Sequence, residues 1–181
     1  MKSVIVYESM FGNTRRVAEA IAAGLAPFLD ATLVNVNDSP VIGHDIELLI
    51  VGGPTHVHGM SRDTTRAEAQ RWANDPAKEL DLEPGAPGIG VREWLGTLAH
   101  VPRLVGAFDT RADILELLSG AASVGIQRAL LARGGEQVLP HESFVVHGND
   151  DITNAELQRA RDWGSRIGGA IVEAATPTGT W

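Results

Sequence analysis

The residues Ser9-Met10-Phe11-Gly12-Asn13-Thr14 stand directly behind an apolar run, Val4-Ile5-Val6-Tyr7, and directly before a helical pattern. The start of a helix leaves its first backbone N–H groups without an intrahelical acceptor, and the aligned peptide dipoles gather partial positive charge there. A phosphate answers both needs. Ser9, Asn13 and Thr14 add hydroxyl and amide donors, and Gly12 lets the backbone come close to a ligand. This spacing points to capture of a phosphate-bearing small molecule. The same residue types also cap helices and make tight turns, so the rest of the chain has to decide.

Two further segments carry groups of the same kind. Gly52-Gly53-Pro54-Thr55-His56-Val57-His58-Gly59-Met60-Ser61-Arg62 follows the apolar run Leu48 to Val51, and Asp109-Thr110-Arg111 follows another strand pattern. His56-x-His58 offers a metal-ligating residue type. It has no third ligand at metal-like spacing and no cysteine to help it, so loop histidines that touch a ligand ring or solvent are the better reading. His44, His100, His141 and His147 are scattered and carry no assignment.

The elements that must position these groups alternate along the chain. Strand patterns cover Ser3 to Tyr7, Ala31 to Val36, Glu47 to Val51, Arg103 to Phe108 and Ser143 to His147. The run Leu48-Leu49-Ile50-Val51 is apolar throughout, as in a strand buried on both faces. Helical spacing predicts a helix from Asn13 to Phe28 with Val17, Ile21, Leu25 and Phe28 inward. Another is expected from Ser119 to Arg133, stopped by Gly134-Gly135. The last starts at Thr153, where Thr153-x-x-Glu156 forms a capping box, and turns Leu157, Ala160, Ile167 and Ile171 inward. Thr64 to Trp72 and Val91 to Leu98 can also be helical. Between them Asn74 to Gly88, with three prolines and two glycines, reads as a long surface loop.

Five strands alternating with helices imply an α/β fold: a three-layer sandwich with a five-stranded parallel sheet and helices on both faces. One domain over residues 1–175, with a frayed tail at 176–181, is expected. Ligands of such sheets bind beyond the carboxyl ends of the strands, where the strand order reverses. With the order 2-1-3-4-5, that point lies between strands one and three.

Composition narrows the partners. The chain has 181 residues, a formal net charge of −8 and no cysteine. The charge disfavours nucleic acid and anionic membrane surfaces. The absence of cysteine removes disulfides, thiolate nucleophiles and Cys-based metal sites. No apolar run approaches the ~20 residues that span a bilayer, and no signal peptide is visible at the N-terminus. A cytoplasmic location is the expectation, which makes the Asn37-Asp38-Ser39 sequon a chance occurrence.

Tyr7 to Thr14 resembles the phosphate loop of the flavodoxins, which bind flavin mononucleotide (FMN). Gly52-Gly53-Pro54-Thr55 followed by Gly-Met-Ser-Arg is similar to their second flavin-contacting loop. Phe108-Asp109-Thr110-Arg111 resembles the third, as in flavodoxin-domain proteins of the actinobacterial kind. The likeness runs over nearly the whole chain, including Ser119-Gly120-Ala121-Ala122. It implies that Ser9, Met10, Phe11, Gly12, Asn13 and Thr14 wrap the phosphate. Pro54, Thr55, His56, Val57, His58 and Gly59 would line one side of the isoalloxazine ring. Phe108, Asp109, Thr110 and Arg111 would line the other side or the pyrimidine edge. The implied function is electron transfer with a redox partner protein, the chain itself being a monomer or weak dimer.

The loops also depart from the family pattern. Position 11 is Phe where many flavodoxins have a hydroxyl, and neither Trp nor Tyr occurs in the second and third loops to sandwich the ring. Such stacking contributes roughly 0.5–1.5 kcal/mol beyond area burial. An FMN-dependent NAD(P)H:quinone-type oxidoreductase, with residues 74–88 as a lid, therefore stays open, and so does a binding module that has lost the cofactor. Arg111 either reaches the pyrimidine end of the flavin, where a cation would raise the potential, or pairs with Asp109 or Asp113. Trp72, Trp94 and Trp163 are read as core or seam residues. The acidic run Glu79 to Glu83 is read as a solvated face or as a guide for a basic redox partner. Two lookalikes are excluded. A response-regulator receiver needs an aspartate where Gly-Gly-Pro-Thr stands, and a dinucleotide-binding Rossmann domain needs two more glycines in the first loop.

Overall fold

A computed structural model describes residues 1–113, 120–147 and 151–176. Its sheet is built on five longer strands: β1 (Lys2–Tyr7), β2 (Ala31–Asn35), β3 (Ile46–His56), β5 (Leu104–Ala112) and β7 (Glu142–His147). They lie parallel in the order β2-β1-β3-β5-β7. Three two-residue strands extend the expected five-stranded sheet: β4 (Gly59–Met60) and β8 (Asp151–Ile152), both antiparallel, and β6 (Glu136–Gln137), parallel to β5.

The helices are α1 (Asn13–Leu25), α2 (Asp63–Ala73), α3 (Val91–Thr97), α4 (Ala122–Leu131) and α5 (Asn154–Ala175). Strand alternation sends side chains to opposite faces, and β3 shows why a fully apolar run was needed. Leu48 and Ile50 join Val17, Ile21, Leu25, Trp163 and Ile167 beneath α1 and α5. Leu49 and Val51 join Trp94, Leu95, Ile126 and Leu130 beneath α3 and α4. Gly24 and Gly164 let α1 and α5 touch backbone to backbone. A Cβ at Gly24 would fall 1.9 Å from the Arg161 carbonyl oxygen, and one at Gly164 would fall 2.2 Å from that of Ile21.

Several expected boundaries move. β3 and β5 run past Val51 and Phe108, because parallel pairing continues through Gly53↔Asp109 and Pro54↔Thr110. Residues 52–56 and 109–112 are therefore strand, with alternating faces, instead of loop. Helix α1 stops at Leu25, ahead of Pro27, whose ring disfavours helix in the residue before it. Phe28 is 40% exposed instead of inward, although its ring still covers Gly168. Helix α4 starts at Ala122; Ser119, expected at its start, and residues 177–181 of the expected tail lie outside the described residues. Among the described residues no helix is long and apolar enough to cross a membrane.

Candidate functional site

Because β1 is followed by β2 on one side and paired with β3 on the other, the carboxyl ends of β1 and β3 flank the switch point. The chain leaves β1 through Glu8 to Gly12 and turns into α1, with Gly12 at φ +92° as the N-cap. The Ser9 hydroxyl oxygen, buried behind this loop, accepts the Gly12 amide (3.1 Å) and the Arg15 amide (3.4 Å). It holds the turn. Thr14 is hydrogen-bonded through its hydroxyl to that of Thr110 (2.8 Å), tying α1 to β5. Asn13 accepts the Ile152 amide at 3.1 Å. The backbone amides of Met10, Phe11 and Thr14 meet no protein acceptor among the described residues. The first turn of α1 carries no acidic residue, so no carboxylate competes for the partial positive charge there.

This loop closes one end of a cleft of about 460 Å³. Ser9, Met10, Phe11, Asn13 and Thr14 border it from β1 and α1, and Pro54, Thr55, His56 and Val57 from the end of β3. Thr110 and Arg111 border it from β5, beside Ala112, Asp113, Val146 and His147. Asp113 accepts from, or shares a proton with, the His147 ring nitrogen at 2.8 Å. Burial lowers the pKa of His56, which favours a neutral imidazole on this wall.

Five of the sequence-predicted residues do not border the cleft, each for a physical reason. Gly12 turns its α-carbon outward, so that a Cβ there would sit 3.1 Å from Glu83 Oε1. His58 and Gly59 lie on the far side of the β3–β4 hairpin, where His58 bridges Gly120 and Gly59 pairs with His56. Phe108 is 0% exposed, packed edge-on to Phe144 and Trp163 and flat against Gly52, where a Cβ would fall 2.0 Å from its ring. Asp109, also 0% exposed, accepts the Ser123 amide at 2.7 Å. With Thr55, whose hydroxyl accepts the Ala122 amide at 2.8 Å, it caps the start of α4. Both residues serve that helix because strand pairing continues through them.

One cleft residue was assigned elsewhere. Trp72 is not core. It is 41% exposed on α2 and borders the cleft with Thr65 and Glu68 of the same helix face. Its helical spacing resembles that of buried Trp94 and Trp163, so periodicity alone could not separate them. Lys78, which does not border the cleft, sits 5.3 Å over the indole. Residues 74–88, expected as one option to form a lid, do not border the cleft.

Behind the loop lies a buried polar network the sequence did not announce. The Glu8 carboxylate accepts the Ser61 hydroxyl and the Val91 amide (2.8 Å), while Ser61 takes Arg66 Nη1 at 3.0 Å and Arg66 reaches Glu93 at 3.1 Å. Burial raises the Glu8 pKa, against the pull of Ser61, Val91 and Arg66. The folded chain therefore holds this proton to higher pH than the unfolded chain does. Its stability relative to Glu8→Gln should fall as pH rises from the ordinary glutamate range through the raised value, and level off above it. Denaturant titrations across a pH series measure this; a gap that grows in favour of the native residue with rising pH would contradict it.

A sequence model of the family described as flavodoxin matches residues 5–95, just over half the chain. The chain belongs to the flavodoxin family. Solved structures agree in fold. A flavodoxin from the domain Archaea is 18% identical with a TM-score of 0.62, covering 95% of this chain and 99% of its own. Flavodoxin 1 from Bacillus cereus is 16% identical with a TM-score of 0.62, covering 92% and 97%. A flavodoxin, WrbA-like protein from Agrobacterium tumefaciens is 19% identical with a TM-score of 0.57, covering 95% and 98%. A search of curated proteins by sequence gave no match.

Proposed function

We propose that this flavodoxin-family chain binds FMN noncovalently in the cleft at the switch point and works in electron transfer. The observation that carries the reading is the Ser9–Thr14 turn, which borders the cleft at the start of α1 with the Met10, Phe11 and Thr14 amides meeting no protein acceptor among the described residues and no acidic residue in the helix's first turn. The residues fit the group. Backbone donors and the Ser9 and Thr14 hydroxyls suit a dianionic phosphate. Trp72, Pro54, His56 and Val57 offer flat or apolar surface for a ring.

The flavin, when bound, supplies the redox chemistry. The chain's own residues bind its phosphate, exclude water from the ring and set the charge around it. Arg111, Glu68 and Asp113 are the charged side chains that border the cleft, beside the imidazoles of His56 and His147. The redox partner is expected to be a protein with a basic surface, matched to the net charge of −8.

The test is titration of FMN into the purified protein, followed by visible absorption and by tryptophan fluorescence. Binding should quench the fluorescence, and Trp72→Phe, which removes the tryptophan that borders the cleft, should reduce the quenched amplitude. An absence of any change in absorption or fluorescence would overturn the reading. Quenching unaltered in Trp72→Phe would remove the indole from the ring site.

A further inference from the structure

We propose that Glu83, on the long segment between α2 and α3, is a positioning residue that aims the phosphate loop at its anion. This rests on the FMN reading above. The sequence places Glu83 at the end of an acidic run on a solvated face, but the structure turns it inward to 14% exposure. There it grips the outer side of the phosphate loop at three points. Its backbone amide donates to the Met10 carbonyl at 2.8 Å. Its carboxylate accepts Arg15 Nε at 2.9 and 3.2 Å. Its Oε1 packs against Gly12, where a Cβ would stand 3.1 Å away.

The geometry explains what the grip does. In a planar trans peptide the carbonyl and the following N–H point in opposite directions. Fixing the Met10 carbonyl outward on the strap fixes the Phe11 N–H toward the side where Ser9, Phe11 and Thr14 border the cleft. Arg15 is the third residue of α1, a place where the helix dipole disfavours a cation. Glu83 and Glu19, the latter at 2.7 Å, hold the guanidinium down on the outer surface. Neither Arg15 nor Glu83 borders the cleft, so the pair shapes the anion site from behind without touching it.

Charge and geometry make opposite forecasts for this residue. A carboxylate near a phosphate repels it, so on charge alone removing Glu83 tightens FMN. If its work is positioning, removing the acceptor loosens FMN. The experiment measures dissociation constants of FMN and of riboflavin, which lacks the phosphate, for the native chain, Glu83→Met and Glu83→Gln. Every variant keeps the backbone amide on the Met10 carbonyl, so the comparison reads the carboxylate's hold on Arg15: Met keeps the stem that packs on the loop and loses the acceptor, and Gln keeps an acceptor for Arg15 Nε and loses the charge.

The expected result is that Glu83→Met weakens FMN about tenfold, the scale of one hydrogen bond's net worth, and leaves riboflavin unchanged. Glu83→Gln should bind FMN at least as tightly as the native chain. Unchanged or tighter FMN binding in Glu83→Met would overturn the proposal, and so would equal losses for FMN and riboflavin. Should Glu83→Met fail to fold, Glu83→Ala carries the same comparison. A native chain that bound neither ligand would instead sink the FMN reading itself.

Discussion

Gly12→Val is expected to abolish FMN retention while the protein still folds. Gly12 sits at φ +92°, a region an L-residue avoids and a β-branched one avoids most. Forcing it there costs about 1–2 kcal/mol, within a total stability of about 5–15 kcal/mol for a domain of this kind. The new side chain would not fill the cleft. Its Cβ would press on Glu83 Oε1, 3.1 Å away, on the outer side of the loop. The loop relieves the strain by rotating its peptides, and rotated peptides no longer aim their N–H groups at a phosphate. Losing two charge-assisted hydrogen bonds, at about 1.5–3 kcal/mol each, weakens binding by at least about a hundredfold. Calorimetry with FMN measures the loss, and circular dichroism checks the fold. Retained affinity would move the phosphate to another site.

Phe108→Ala should act the other way: a large loss of stability with little change in FMN affinity for the molecules that remain folded. The resemblance of Phe108-Asp109-Thr110-Arg111 to a flavin loop implied a ring contact. The structure seats Phe108 in the core beneath α5, against Gly52, Phe144 and Trp163. Emptying so large a buried site costs about 3–5 kcal/mol, a third or more of the whole stability of a modest domain. Urea unfolding reads the first effect and FMN titration below the transition reads the second. An undiminished midpoint with lost affinity would return Phe108 to the ligand.

These two residues show what the sequence made legible. The parallel sheet followed from strands alternating with helices, and the two buried faces of β3 from an unbroken apolar run; the order of the strands was not readable from either. The turn from β1 into α1 was legible because a strand end, one glycine and a helix start fall within a few residues. The β3–β4 hairpin was hidden. Its two central residues, Val57 (φ 42°) and His58 (φ 72°), take a conformation for which turn chemistry demands glycine or asparagine. Asp109 was misplaced because nothing local tells a strand carboxylate that caps a distant helix from one that faces a ligand. Trp72 was missed because a helical period says which residues share a face and is silent on whether that face meets core or cleft. Glu8 and Glu83 carry no local mark at all, since their partners lie 53 to 83 and 68 residues away.

The backbone contact between α1 and α5 has a consequence for biosynthesis. The turn proposed to hold the phosphate is translated well before α5, yet its helix is seated by Gly164 and its neighbours, and Asn13 is held by Ile152. A nascent chain stalled before residue 150 would carry the whole turn and still lack the scaffold that orients it. If the turn holds FMN as proposed, competence to bind it should appear only once residues 151–175 have left the ribosome.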